Sequence, residues 1–179
     1  MEEKEIEGII IFDTDVYRDE RGYFMEFYNE NKFNHQILEN FSFKQDNISC
    51  SKKNVLRGLH FQAPPFDQGK LIQVLKGKVM DVVVDIRKGS KTFGKHLKVE
   101  LSSKNHKQLW VPPGFAHGFL TLENDTLFSY KCSGYYSKEH EMDLLWNDET
   151  LNIDWGIENP VISEKDKKAT KFVDLISPF

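Results

Sequence analysis

The chain has 179 residues, a formal net charge of −4 and 39% hydrophobic residues. That length fits one domain with a full core, and the mild acidity argues against nucleic acid as a partner. No apolar run is long enough to cross a bilayer, and the acidic opening MEEKEIEGII resembles neither a signal nor a transit peptide, so a cytoplasmic protein without a membrane partner is expected.

Gly8 to Phe12 is a short apolar run and a first strand. Asp19-Glu20-Arg21-Gly22 forms a turn, and Tyr23 to Tyr28 follows as an aromatic-rich strand. Arg21 has two readings here: a solvated turn charge, or a clamp whose guanidinium matches phosphate oxygens. Asn29 to Asn40 predicts a helix, with Phe33, Ile37 and Leu38 at helical spacing and Asn29 or Asn31 as its cap. Phe41 to Cys50 returns to strand character and carries Gln45, Asp46 and Asn47, three residue types that more often form turns than bind ligands.

The stretch Val55 to Arg87 organises the chain. It sets Arg57, His60 and Lys70 among strand-like apolar runs, which suits a charged, carbonyl-bearing ligand. Leu71–Leu75 and Val79–Ile86 read as strands, with Lys76-Gly77-Lys78 as a hairpin turn between them. Lys95 to Leu101 alternates as a half-exposed strand, and its His96 is given no role. Pro112-Pro113-Gly114 turns the chain between two apolar runs, and His117 opens the second. Phe128 to Tyr136 is another strand with three tyrosines; Tyr130 as an acid is a minority reading, because a buried Tyr usually needs only a hydrogen-bond partner.

From Ser137 the composition turns irregular, with Trp146 and Trp155 expected to anchor this tail. Ser163 looks like a helix cap, with Asp166 where a capping box wants an acid. The two cysteines, Cys50 and Cys132, form no C-x-x-C pair and are read as reduced thiols, one bridge remaining open. Many short strands and only one or two short helices predict a mostly β fold, a sandwich or jelly-roll barrel with no linker or repeat.

Pro112, Gly114 and His117 match P-x-G-x-x-H, which resembles the second half of the cupin signature, whose barrel often holds a metal. The first half would need a second His two residues after His60, where Gln62 stands, and Lys70 brings a cation where a metal would sit. A strong site needs three or four ligands, so a cupin-like barrel without metal is expected.

R-G-L-H-F-Q, Q-G-K-L, P-P-G-F-A-H-G-F and Y-K-C-S-x-Y-Y stand in this order, with D-E-R-G-Y-F-M-E before them and S-E-K-D after. Together they resemble the dTDP-4-dehydrorhamnose 3,5-epimerases over nearly the whole chain. The resemblance implies one jelly-roll domain over residues 1–179, paired as a homodimer with an exchanged N-terminal strand. It implies cofactor-independent epimerisation of a dTDP-linked 4-keto-6-deoxy sugar at C3 and C5. His60 would be the base, Asp166 its dyad partner in place of the capping role, Tyr130 the acid and Lys70 the stabiliser of the enolate. Arg57, His117, Gln45 and Asn47 would contact substrate, with Asp46 between the last two. Arg21 and Glu26 would bind nucleotide across the dimer, and Glu141 and Lys167 are weaker carry-overs.

Cys50, Asn54 and Met142 depart from the family's usual pattern, outside the catalytic set. The alternatives are an epimerase acting at one centre or on another 4-keto sugar nucleotide, nucleotide-linked heptoses included, and a non-catalytic sugar-nucleotide-binding cupin.

Overall fold

A computed structural model describes residues 6–179. Its strands are β1 (Ile10–Phe12), β2 (Val16–Asp19), β3 (Gly22–Met25), β4 (Gln45–Ser51), β5 (Leu56–Gln62), β6 (Lys70–Lys76), β7 (Lys78–Asp85), β8 (His96–Ser102), β9 (Gln108–Val111), β10 (Phe115–Thr121), β11 (Thr126–Cys132) and β12 (Glu141–Asp143). The helix α1 spans Glu30–Ile37, and the Asn29 side chain caps it by accepting from the Lys32 N–H. The fold is mostly β, as expected: two five-stranded antiparallel sheets, ordered β1-β9-β6-β11-β4 and β12-β5-β10-β7-β8, and a separate β2–β3 hairpin.

The hydrophobic pattern explains the layering. Ile72 and Val74 on β6 meet Val79 and Val83 on β7, with Leu101, Leu109, Phe115 and Phe128, in a core between the two sheets. The second sheet is buried on its other face too. There Val82, Val84, Leu59 and Ala116 pack against Leu144, Leu151 and Trp155 from the tail. Burial on both faces is why Val82-Val83-Val84 runs without alternation. Trp155 donates its indole N–H to the Trp146 carbonyl at 2.8 Å, so the two tryptophans anchor the tail as the sequence suggests. The outer face of the first sheet is covered by Phe33 of α1 with Phe12, Phe41 and Phe43 around Trp110.

One expectation is corrected. Lys76-Gly77-Lys78 is not a hairpin turn: β6 pairs with β9 and β11, whereas β7 pairs with β8 and β10. The connection is a corner between sheets, because both flanking runs bury their apolar faces in the same core and must face each other across it. Gly77 (φ 82°) makes the corner, since a Cβ there would lie 2.4 Å from Thr126 Oγ1. Several boundaries also differ. Phe41–Lys44 lies outside β4, β11 ends at Cys132, and the tail contributes the short strand β12.

Candidate active site

The two sheets enclose a cavity of about 610 Å³, lined by residues from both. Arg57 and His60 enter from β5, His117 from β10 and Glu141 from β12, all on one sheet. Lys70 enters from β6 and Tyr130 from β11, on the other. Period-two alternation alone would not place both Arg57 and His60 there, because Arg57, Leu59 and Phe61 cannot share the face of His60 on a regular strand. The strand is not regular, however. The β5–β10 register shifts between His117 and Phe119, where Gly58 (φ 133°) meets Gly118. A Cβ on Gly58 would stand 2.4 Å from the Gly118 Cα, so glycine is required for the close approach that carries both Arg57 and His60 to the cavity. Phe119 and Phe128, one from each sheet, stack at 3.9 Å among the lining residues.

Asp166 sits in a 3₁₀ turn of the tail, Asp166–Lys168. Ser163 Oγ accepts from its backbone N–H at 3.1 Å, so the capping geometry seen in the sequence is present. The Asp166 carboxylate, however, turns to His60, with Oδ1 at 2.8 Å from Nε2. Burial alone would raise this carboxyl, but hydrogen bonds from His60, Ser163 and the Gly58 N–H hold it below the usual range. An ionised carboxylate only accepts, so Nε2 carries the proton and Nδ1 is left as the basic nitrogen.

Lys70 is half-buried in the cavity wall, and desolvation there pushes its ammonium below the ordinary lysine value, against the pull of Cys132, Asp81 and Glu141. Among the described residues, no carboxylate lies within ion-pair distance of it. Burial likewise raises the Tyr130 phenol, with Cys132 adding to the effect, so Tyr130 remains a proton donor at neutral pH. The arrangement therefore holds a carboxylate-backed imidazole, a half-buried ammonium and a protonated phenol around one cavity, with imidazole and phenol on opposing sheets. Among the described residues, no three His, Cys, Asp or Glu side chains come together at metal-binding spacing.

Seven of the sequence-derived candidates thus converge: His60, Tyr130, Asp166, Lys70, Arg57, His117 and Glu141. The other six lie outside the cavity lining. Gln45 donates to Asn47 at 2.9 Å and accepts from the Tyr136 N–H at 3.1 Å, and Asn47 donates to Cys132 Sγ at 3.6 Å. Asp46 faces the other way on β4 and pairs with Lys131 at 2.9 Å. Arg21 sits on the exposed β2–β3 turn, held to Asp19, and Glu26 pairs with Lys32 at 2.7 Å. Lys167 pairs with Glu164 away from the cavity.

Three lining or supporting residues escaped the sequence reading. Lys165, not Lys167, reaches the cavity, where it holds Glu141 at 2.6 Å; only the tail's packing reveals which lysine turns inward. Ser49 lines the cavity with a buried hydroxyl that has no partner among the described residues. Asp81 is fully buried and its carboxylate binds His117 Nε2 at 2.9 and 3.0 Å. The signal for Asp81 was an acid inside a β-branched run, since a buried carboxylate needs a partner.

The family model described as dTDP-4-dehydrorhamnose 3,5-epimerase matches residues 3–174. The chain is similar to the dTDP-4-dehydrorhamnose 3,5-epimerase of Shigella flexneri, 49% identical over 170 residues, covering 95% of this chain and 94% of that protein. It resembles the crystal structure of the enzyme of the same name from Elizabethkingia anophelis, with a TM-score of 0.89 at 48% identity, covering 94% of this chain and 93% of that one. It also resembles dTDP-6-deoxy-D-glucose-3,5-epimerase from Legionella pneumophila in complex with dTDP-4-keto-L-rhamnose. That structure has a TM-score of 0.91 at 44% identity, covering 96% of this chain and 91% of that one.

Proposed function

The chain belongs to the dTDP-4-dehydrorhamnose 3,5-epimerase family, and from that premise we propose that His60 and Tyr130 are the opposed base and acid of its reaction. The reaction is the epimerisation of dTDP-4-keto-6-deoxy-D-glucose at C3 and C5, giving dTDP-4-keto-L-rhamnose. The observation that carries the assignment is the placement of His60 and Tyr130 on opposite sheets across one cavity.

The chemistry follows from that placement. A C–H proton beside a ketone is weakly acidic, so its removal needs a positioned base and a stabilised product. His60 Nδ1 takes the proton, the bonding pair moves toward the C4 carbonyl, and an enolate forms. Lys70, as ammonium, faces the developing oxygen charge. Tyr130 then returns a proton from the other face, which inverts the centre. Exchange with water strips the proton from His60 and restores that of Tyr130. C3 and C5 both flank C4, so the same pair serves each in turn. Proton and electrons both return to the sugar, so no oxidation state changes. Asp166 orients His60 and balances the imidazolium. Arg57, His117, Glu141 and Lys165 are positioned to hold the substrate.

The reading extends to assembly and place. The β2–β3 hairpin exposes Tyr17, Tyr23 and Phe24, and β4 is the edge of its sheet. Those features support a homodimer in which the N-terminal segment of one jelly-roll domain, with Arg21 and Glu26, reaches the nucleotide end of the partner's cavity. Gln45 and Asn47 at the end of β4 would meet the same nucleotide. No helix among the described residues is long and apolar enough to cross a membrane, and Cys50 and Cys132 are both free thiols, consistent with a cytoplasmic enzyme.

Incubation with dTDP-4-keto-6-deoxy-D-glucose in heavy water, followed by reduction of the product, tests the reading. Deuterium at both C3 and C5 and recovery of dTDP-rhamnose are expected. Label at one carbon only would make the enzyme a single-centre epimerase, and none would remove the proton-transfer roles. Light scattering should give the mass of two chains, and a monomer of full activity would refute the exchanged arm.

A further inference from the structure

A second His–Asp pair, whose histidine lines the cavity, is not used by the proton transfers. His117 on β10 and Asp81 on β7 are both buried, and both Asp81 oxygens lie within 3.0 Å of His117 Nε2. Among the described residues, this ring is the one hydrogen-bond donor to the Asp81 side chain. A fully buried carboxylate with a single neutral donor is poorly compensated and calls for a nearby cation. Lys70 is that cation: it lines the same cavity, half-buried, and among the described residues it has no ion-pair partner. Asp81 and Lys70 are therefore two formal charges of opposite sign, and among the described residues neither has a charged partner within ion-pair distance other than the His117 ring on Asp81.

Resting on the enolate role of Lys70 given above, we infer that Asp81 is a positioning residue that fixes the His117 ring and supplies the buried negative charge keeping Lys70 an ammonium ion. Asp81 touches neither the sugar nor the reacting atoms in this account. It acts through the two residues beside it. Burial pushes the His117 imidazole below its ordinary value, despite Asp81, so the ring is neutral with its proton on Nε2. His117 then offers Nδ1 as an acceptor. The other groups around Lys70 are Cys132 and Tyr130 on β11, Glu141 on β12, and Arg57 and His60 on β5. Cys132 is a thiol raised by burial and stays neutral, and Glu141 is already engaged by Lys165. Asp81 is thus the acid whose charge is free to serve Lys70.

Asp81→Asn separates charge from shape, since the amide oxygen still accepts from His117 Nε2. The expected result is a pH-selective loss. The alkaline limb of kcat/KM should move down by about one pH unit or more, because Lys70 loses its proton earlier, while activity near pH 6 approaches that of the parent. An equal loss at every pH would mark Asp81 as merely structural and overturn the inference. The unaltered enzyme gives a second test if the variant does not fold. In labelled protein, the Lys70 Cε resonance, assigned by difference from Lys70→Met, should report ammonium at pH 7, and His117 should carry its proton on Nε2 alone. A neutral amine at Lys70, or a His117 protonated only on Nδ1, would refute the assignment. These spectra need no substrate. Both signals as expected in a chain that does not epimerise would support Asp81 while counting against the reading of the reaction.

Discussion

Two histidines stand opposite each other in register on β5 and β10, each bound to an aspartate at about the same distance: 2.8 Å for His60–Asp166 and 2.9 Å for His117–Asp81. Their surroundings differ. The His60 side chain is 31% exposed and its aspartate comes from the tail, whereas the His117 side chain is 8% exposed and its aspartate from the neighbouring strand is sealed. A base must exchange its proton with solvent in each cycle, and only the first pair can. On the proposed reading, burial rather than residue type separates the roles: a dyad that cycles protons and a dyad that holds charge still.

The comparison is sharpest at His60. His60→Ala should lower kcat by about 10³-fold, the range of a positioned general base, while dTDP affinity changes little. Stopped assays and calorimetry on the same sample would show this; loss of nucleotide binding in step with kcat would instead make His60 a binding residue. Asp166→Asn should cost less, about 10²-fold in kcat, because the base persists in a poorer orientation. A full rate in that variant would return Asp166 to its capping role.

Arg21 lies outside the cavity, so Arg21→Ala should raise KM about tenfold, equivalent to roughly 1.4 kcal/mol of binding, and leave kcat alone. A fall in kcat without a change in KM would place Arg21 nearer the chemistry than the hairpin allows.

The smallest effect on activity is expected at a third buried carboxylate, Asp85, which accepts from Arg87, Ser90 and Thr92. Burial would raise it, but those hydrogen bonds hold it at about 2. Its folded value lies below its unfolded value near 4, so its contribution is present above about pH 4 and lost as pH falls toward 2. Asp85→Asn should therefore cost roughly 2 kcal/mol of stability at pH 7, a deficit that closes in acid, with kcat/KM unchanged. Urea melts at pH 7 and pH 3 would check the closing deficit.

The parts of the site that the sequence made legible are those carried by contiguous strands. Arg57 and His60 in R-G-L-H and Lys70 beside its apolar run were legible as polar side chains set among strand-forming residues, although the bulge that turns both Arg57 and His60 to the cavity was not. Asn54, one of the departures from the family's usual pattern, takes φ 67°, a left-handed conformation that Asn tolerates. Residues set by long-range packing were not legible. Lys165 and Lys167 are equivalent in a local pattern, and only the tail's path selects the first. Asp81 was not legible either, because nothing local tells that both faces of its strand are covered. The corner at Gly77 was hidden for the same reason: a glycine between two apolar runs does not say which strands each run will pair with.

The most direct test of the central claim compares His60→Ala with Tyr130→Phe in heavy water. Deuterium uptake at C3 and C5 is measured alongside inversion at each centre. If His60 removes the proton and Tyr130 returns it from the opposite sheet, His60→Ala shows neither uptake nor inversion. Tyr130→Phe then takes up deuterium while leaving the centres largely uninverted. Uptake that persists in His60→Ala, or inversion at the full rate in Tyr130→Phe, would contradict the account.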